Sequence, residues 1–129
     1  MEIPLRASLI GWLAGDPALA GALNAVTEEA PVRAALPWLA IAASSSVDWS
    51  TKTEIGFETR IALELHMRGD GPGSGAALVG AIQSRVADLP RAQEGFRIVT
   101  LQFLRSRAEQ RAQNIRAVLL EYRFRVIAA

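Results

Sequence analysis

Hydrophobic and polar residues alternate without a break from Phe57 to Arg68. Successive side chains of a β-strand point to opposite faces, so this segment predicts a long strand with one face on a core and one polar face. The core side would carry Phe57, Thr59, Ile61, Leu63, Leu65 and Met67; the polar side would carry Glu58, Arg60, Ala62, Glu64, His66 and Arg68.

Apolar residues recur at helical spacing in other parts of the chain. Residues 3–14 place Leu5, Leu9, Trp12 and Leu13 on one helical face. Asp16-Pro17 then predicts an N-cap followed by proline in the first turn, which opens a second short helix to about Leu23. A third helix is predicted from about Ser74 to Asp88, with an apolar stripe formed by Leu78, Val79, Ile82, Val86 and Leu89.

Further strands are predicted on both sides of the third helix. Residues 25–36 suit a short edge strand or a loop, and residues 36–46 are apolar enough for a strand buried on both faces. Residues 97–105 and 115–127 predict two more strands, joined by a long polar hairpin connection over residues 106–114. The first of these would bury Val99, Leu101 and Phe103; the second would bury Val118, Leu120, Tyr122, Phe124 and Val126.

The order of elements is therefore α–(α)–β–β–β–α–β–β. Two hairpins, rather than repeated βαβ units, predict an α+β fold with a largely antiparallel sheet of four to five strands flanked by helices. The length of 129 residues suits one domain spanning residues 1–129.

Composition excludes several classes of function. The formal net charge of +1 argues against a dedicated nucleic-acid binder, whose surface is usually strongly basic. With no cysteine, the chain has no disulfide, thiolate metal site or thiol nucleophile. The longest apolar run, residues 34–43, is about half of the ~20 residues that a spanning helix needs, and we expect an intracellular origin.

The sequence Gly71-x-Gly73-x-x-Ala76 follows a strand and precedes a helix, as in dinucleotide-binding folds. Hydrophobic and polar residues alternate in the preceding strand, however, whereas the first strand of a dinucleotide-binding fold is buried on both faces. Pro72 also removes a backbone donor, and no second βα unit follows. A flexible glycine connector is the simpler interpretation. A small ligand-binding module that uses the loop of residues 69–75 stays as an alternative.

His66 is the only histidine and would be needed for any triad or imidazole base. It lies on the polar side of the long strand, between Glu64 and Arg68, and no Gly-x-Ser-x-Gly motif accompanies it. A wet cross-strand polar residue is the expected role. We therefore predict no catalytic residue, metal or cofactor.

Charged residues form two candidate surfaces. Arg105, Arg107, Arg111 and Arg116, opposed by Glu109, could contact DNA or an acidic partner, although a solvated loop also explains them. The polar side of the sheet carries both signs, which suits solubility but also the alignment of neighbouring subunits. Its residues are Glu58, Arg60, Glu64, Arg68, Glu121, Arg123 and Arg125.

The segment Val47-Asp48-Trp49-Ser50-Thr51-Lys52-Thr53 lies between an apolar strand that begins Leu-Pro-Trp and the long alternating strand. It resembles the corresponding loop of the phage tail-completion family, formerly of unknown function. The likeness continues through the glycine-rich turn with its alanine-rich helix, the Phe-Arg-Ile-Val-Thr-Leu-Gln-Phe strand and the arginine-rich last strand. It therefore covers essentially the whole chain, and the loop is its most specific part.

The resemblance implies a structural protein that forms a hexameric ring, which terminates the tail tube of a phage or gene transfer agent and joins the tail to the head connector. The ring would lie at the head-proximal end of the tail, in a particle assembled in the bacterial cytoplasm. The implied partners are further copies of the chain, the tail tube protein, a head–tail connector or stopper protein, and DNA passing through the ring. A head–tail adaptor or stopper is the alternative role. The expected interface residues are Asp48, Trp49, Ser50, Thr51, Lys52, Thr53, Arg60, Glu64, Arg105, Arg107, Arg111, Arg123 and Arg125, although Trp49 could instead pack back on the sheet.

Overall fold

The computed structural model describes residues 1–71, 73 and 75–129. Its helices are α1 (Glu2–Ala14), α2 (Pro17–Ala22) and α3 (Ala76–Ala87). Its strands are β1 (Ala25–Thr27), β2 (Trp38–Asp48), β3 (Gly56–Arg68), β4 (Ala92–Gln93), β5 (Phe96–Arg111) and β6 (Ile115–Ala128). A short 3₁₀ turn, Ala112–Asn114, joins β5 to β6.

The strands form one sheet in the order β1-β2-β3-β6-β5-β4. Every neighbouring pair is antiparallel except β1 with β2, so the predicted α+β class and largely antiparallel sheet are confirmed. The sheet has six described strands rather than the predicted four to five. The prediction already allowed a short edge strand over residues 25–36, where β1 lies. The additional strand is β4, which at two residues is too short to show a hydrophobic period.

Helices α1 and α3 cover one face of the sheet, and the core lies between them. Leu5, Leu9 and Leu13 of α1 are buried at the spacing predicted for one helical face. They meet the inward side of β3, where Leu63 and Leu65 are fully buried. No helix among the described residues is long and apolar enough to cross a membrane.

Strand β5 differs most from its prediction. Bulges lie between Ile98 and Thr100 and between Phe103 and Arg105, and each changes which side chains face the helices. Phe96 and Ile98 are buried, whereas Val99, expected in the core, lies in the first bulge and is 43% exposed. Phe103 keeps the inward position opposite Tyr122 that the prediction gave it, but it lies on the part of β5 that has no further strand beside it in the described chain and is 42% exposed.

The predicted polar connection over residues 106–114 is also wrong, because β5 continues to Arg111. Both sides of this segment are polar, so no hydrophobic pattern marks it as a strand. Residues 105–111 pair in regular register with residues 115–121 of β6, and the ion pair Arg105–Glu121 joins the two strands.

Candidate functional site

The sheet face opposite the helices, here called the outer face, carries most of the charge on β3, β5 and β6. The register places Arg60 opposite Arg123, and Glu58 opposite Arg125. On the next strand Arg105 lies opposite Glu121. Side chains that are far apart in sequence thus share one surface.

Near one end of the outer face, two arginines surround one glutamate. Arg125 Nε donates to Glu58 at 2.9 Å, and Arg123 Nη1 lies 4.0 Å from the same carboxylate. Arg123 also donates to the side chain of Gln102 at 2.5 Å. The Arg125 guanidinium lies 5.4 Å from the ring centre of Trp49, which is half-buried. Ion pairs and an aromatic contact together therefore hold the side chains at this end of the outer face in place.

The opposite end of the outer face holds a second cluster around Glu64. Its carboxylate accepts hydrogen bonds from His66 Nε2 and, at 2.6 Å, from Arg111 Nη1. Burial raises the pKa of Glu64. The hydrogen bonds from His66 and Arg111 lower it by a larger amount, so the pKa of Glu64 lies below its ordinary value. Arg111 is bonded to Glu109 as well, at 3.1 Å.

His66 is more enclosed than expected. Its ring stacks on Trp38 with the centroids 4.0 Å apart, and its side chain is only 14% exposed. The residue is thus a packed cross-strand side chain rather than a wet one. Glu64, Arg111 and Trp38 contact the ring, and no hydroxyl group among the described residues is hydrogen-bonded to it for an imidazole base to activate.

A shallow groove of about 570 Å³ crosses the middle of the outer face. Small side chains, Ala43, Ser45 and Ala62, leave room for it, and the pair Arg105–Glu121 borders it. Arg60 also lines it and has no ion-pair partner within the part of the chain that the structure describes.

The loop between β2 and β3 is held in shape by its own hydrogen bonds. Trp49 N donates to Gly56 O at 2.9 Å, and Gly56 N donates to Ser50 Oγ at 2.9 Å. Thr51 Oγ1 accepts from Glu54 N at 3.0 Å. These bonds leave the side chain of Lys52 exposed at the tip. Two apolar side chains beside the loop, Val47 and Ile55, are 60% and 63% exposed.

The structure thus brings the predicted site residues into two groups. The seven predicted interface residues on β3, β5 and β6 all lie on the outer face: Arg60, Glu64, Arg105, Arg107, Arg111, Arg123 and Arg125. The loop residues lie at one end of that face, although Asp48 itself ends β2. Arg116 lies on the opposite side, where its Nη1 donates to Gly71 O at 2.6 Å.

Sequence reasoning missed the aromatic partner of His66 and the counter-ion role of Glu58. The apolar neighbours of Trp38 predict that it lies in a strand, but nothing in the sequence predicts that it lies opposite His66 in the sheet. Glu58 was recognised only as one charge of a polar face.

The prediction that residues 69–75 form a connector falls partly on Pro72 and Ser74, which lie outside the described residues, as does the predicted start of α3 at Ser74. Gly75 has a positive φ of 77°, and a Cβ there would approach Met67 Sδ to 2.1 Å. Packing against Met67 therefore explains this glycine without a bound phosphate. Among the described residues, no group of three or more His, Asp or Glu side chains is placed to hold a metal.

Comparisons with known proteins agree with the geometry. Residues 7–127 match the family model described as tail completion protein gp17. The fold is similar to that of a chain in the solved structure titled "Virion of native gene transfer agent (GTA) particle", with a TM-score of 0.78 and 24% identity, over 96% of this chain and 95% of that one. The search of curated proteins gives no match.

An α+β domain with a charged, exposed sheet face and no assembled catalytic centre in its described part suits a component of a protein assembly. The family match covers nearly all of the chain, and the chain belongs to the tail completion protein gp17 family. It is a structural protein of a phage-like tail and not an enzyme.

Proposed function

We propose that the chain forms a ring, expected to be hexameric, that ends the tail tube and joins the tail to the head connector. The observation that carries this proposal is the ordered loop between β2 and β3. Its backbone is fixed by internal hydrogen bonds. The side chains of Lys52, Val47 and Ile55 are nevertheless exposed. A rigid loop with exposed apolar and charged side chains is suited to docking on another protein.

The loop is proposed to contact the tail tube, and the outer face to contact neighbouring proteins of the head-proximal end. Mixed charge on an ordered surface favours one orientation of the partner and disfavours others. A gene transfer agent particle is the proposed setting, supported by the fold likeness to a chain of such a particle. An adaptor or stopper of the same connector would use the same surfaces on a different partner.

DNA is proposed as a transient partner in the channel of the ring. The described outer face carries eight arginines (Arg60, Arg68, Arg97, Arg105, Arg107, Arg111, Arg123, Arg125) against four glutamates (Glu58, Glu64, Glu109, Glu121). Because most of these arginines are already ion-paired, contact with phosphates would be weak and salt-dependent, as passage requires. A decrease of about one in the slope of log K against log salt concentration in Arg60→Ala would support this role, and an unchanged slope would contradict it.

Electron microscopy of negatively stained tail tubes, with and without the purified chain, tests the main proposal. A terminator should add a ring to one end of each tube and stop its growth. A chain that binds purified connector but leaves tube ends bare would instead be an adaptor or stopper. A chain that stays monomeric by light scattering with and without tube protein would overturn the ring.

A further inference from the structure

Four polar side chains lie side by side across the middle of the outer face. The register places Ser45 of β2 opposite Arg60 of β3, Arg60 opposite Arg123 of β6, and Arg123 opposite Gln102 of β5. Neighbouring strands are about 4.8 Å apart, so a hydroxyl, two guanidinium groups and an amide form one line of hydrogen-bond donors, here called the donor row.

The levels of the sheet on either side of the donor row are balanced in charge. On one side Glu58 pairs with Arg125 at 2.9 Å. On the other side Arg105 pairs with Glu121. Across β2, β3, β6 and β5, each of these levels holds one negative and one positive side chain, whereas the donor row holds two positive side chains and no negative one. The excess positive charge of the middle of the outer face therefore lies in the donor row.

Arg60 and Arg123 lie directly opposite each other, although like charges in that position repel. Arg123 is only partly neutralised: its Nη1 is 4.0 Å from Glu58, whose carboxylate is already bonded to Arg125, and its buried Nε has no hydrogen-bond partner within the described chain. Arg60 has no ion pair in that part of the chain. An anion is therefore the group that would balance the two arginines.

The groove on the outer face gives an anion access to Arg60. The small side chains of Ala43, Ser45 and Ala62 line it, and the Arg60 side chain beside them is exposed. Ser45 is exposed as well and lies on the neighbouring strand at the same level. Arginine and serine are common side-chain donors to phosphate oxygens, and a guanidinium group can bind two of these oxygens at once.

We propose that Arg60 and Ser45 hold one phosphate group in the groove, with Arg123 adding to the positive potential around it. Such a site gives the proposed contact with DNA, on which this inference rests, a defined position: one backbone phosphate for each copy of the chain. Because glutamates neutralise the arginines of the flanking levels, the site takes a single phosphate rather than a long track of them. Free phosphate has the same chemistry, and the experiments separate the two sources.

Binding of inorganic phosphate tests the site by itself. At constant ionic strength, we expect phosphate to shift the backbone amide resonances of Ser45 and Arg60 in NMR spectra until they saturate. Arg60→Gln should weaken phosphate binding about tenfold and Ser45→Ala about threefold, through the loss of hydrogen bonds to the anion. Arg107→Gln is the matched control and should bind normally, because Arg107 is an exposed arginine of the same face that is already paired with Glu109 at 3.2 Å.

Thermal unfolding gives a second measurement. Without phosphate, Arg60→Gln should raise the unfolding midpoint, because it removes the repulsion between Arg60 and Arg123. Phosphate should then raise the midpoint of the wild type but not that of Arg60→Gln, since a ligand stabilises only the folded state that binds it. A lower midpoint for Arg60→Gln without phosphate would show that Arg60 stabilises the fold, and would contradict the proposed site.

Short duplex DNA identifies the source of the phosphate. Arg60→Gln should lower the slope of log K against log salt concentration by about one, and Arg107→Gln should leave the slope nearly unchanged. Inorganic phosphate should compete with DNA for the wild-type chain. Failure of phosphate to compete would place the DNA contact elsewhere and would count against the site.

Three outcomes distinguish the phosphate site from the proposed DNA contact. Saturable phosphate binding that depends on Arg60, with an unchanged DNA slope in Arg60→Gln, would support the site and refute the DNA contact. DNA binding that Arg60→Gln and Arg107→Gln weaken equally, without saturable phosphate binding, would refute the site and retain the DNA contact. Acetate bound as tightly as phosphate would assign the groove to a carboxylate of a partner protein and overturn the phosphate site.

Discussion

The guanidinium group of Arg125 lies 5.4 Å from the ring centre of Trp49, so the last strand holds the β2–β3 loop against the outer face. Trp49 therefore packs back on the sheet, as one of the two sequence interpretations expected. Its neighbour Lys52 remains exposed. The loop thus divides into a residue that anchors it and a residue that is free to meet a partner.

Trp49→Ala and Lys52→Ala should consequently have different effects. We expect Trp49→Ala to lower the free energy of unfolding by about 1–2 kcal/mol, through lost burial and the lost contact with Arg125. Lys52→Ala should leave stability unchanged, and both should weaken tube capping in electron micrographs. Arg33→Ala, an exposed cation outside the loop, is the control and should cap normally. Normal capping by both loop variants would show that the loop is not the interface.

Arg85 joins α3 to α1 through three contacts with Trp12. Its Nε donates to Trp12 O at 2.9 Å, Trp12 Nε1 donates to Arg85 O at 2.6 Å, and the guanidinium lies 3.3 Å from the ring centre. Arg85→Ala should lower the free energy of unfolding by about 2–3 kcal/mol in urea titration. Ser84→Ala, exposed on the same helix, should change it little, and equal effects of the two variants would contradict the role of Arg85.

Tyr122 is buried, and its hydroxyl has no hydrogen-bond partner within the described chain. Burial raises the pKa of Tyr122 from 10.0 to about 12. The folded state thus holds this proton more tightly than the unfolded state, and stability present below pH 10 is lost as the pH rises towards about 12.

Tyr122→Phe removes the unpaired hydroxyl and keeps the ring, which lies edge-on to Phe103 at 5.4 Å. We expect stability at neutral pH to be unchanged or about 1 kcal/mol higher, and the alkaline loss to be smaller. Tyr122→Ala should instead cost about 3–5 kcal/mol, because it leaves a cavity. Thermal unfolding between pH 7 and pH 12 measures both effects; a large loss in Tyr122→Phe would reveal a partner for the hydroxyl.

Glu64 affects stability in acid, as Tyr122 does at alkaline pH. Burial raises the pKa of Glu64, but the hydrogen bonds from His66 and Arg111 lower it by more, so the pKa lies below the ordinary 4.5. The contribution of Glu64 to stability is therefore present above pH 4.5 and is lost as the pH falls through the lower folded-state pKa. Glu64→Gln should therefore flatten the fall of stability in acid. Glu54→Gln, in the exposed loop, should retain the wild-type acid profile. An unchanged profile in Glu64→Gln would assign the acid sensitivity to other carboxylates.

The strong periodic segments were predictable because burial of one face imposes a repeat on the sequence. The alternation from Phe57 to Arg68 became β3 with the expected side inward, and Leu5, Leu9 and Leu13 became the buried face of α1. The amino-acid sequence alone was also enough for the resemblance in the Asp48–Thr53 loop. It was likewise enough for the expectation that no catalytic or metal-binding motif is present.

Tertiary structure decided the features that depend on register. The first bulge of β5 exposed Val99. Pairing with β6 turned a polar stretch ending at Arg111 into strand, because cross-strand partners can stabilise a segment that has no hydrophobic period. The meeting of Trp49 with Arg125 has the same origin. Residues 76 positions apart are brought together only when the order of strands is set, and that order follows from packing of the whole core and not from any local pattern.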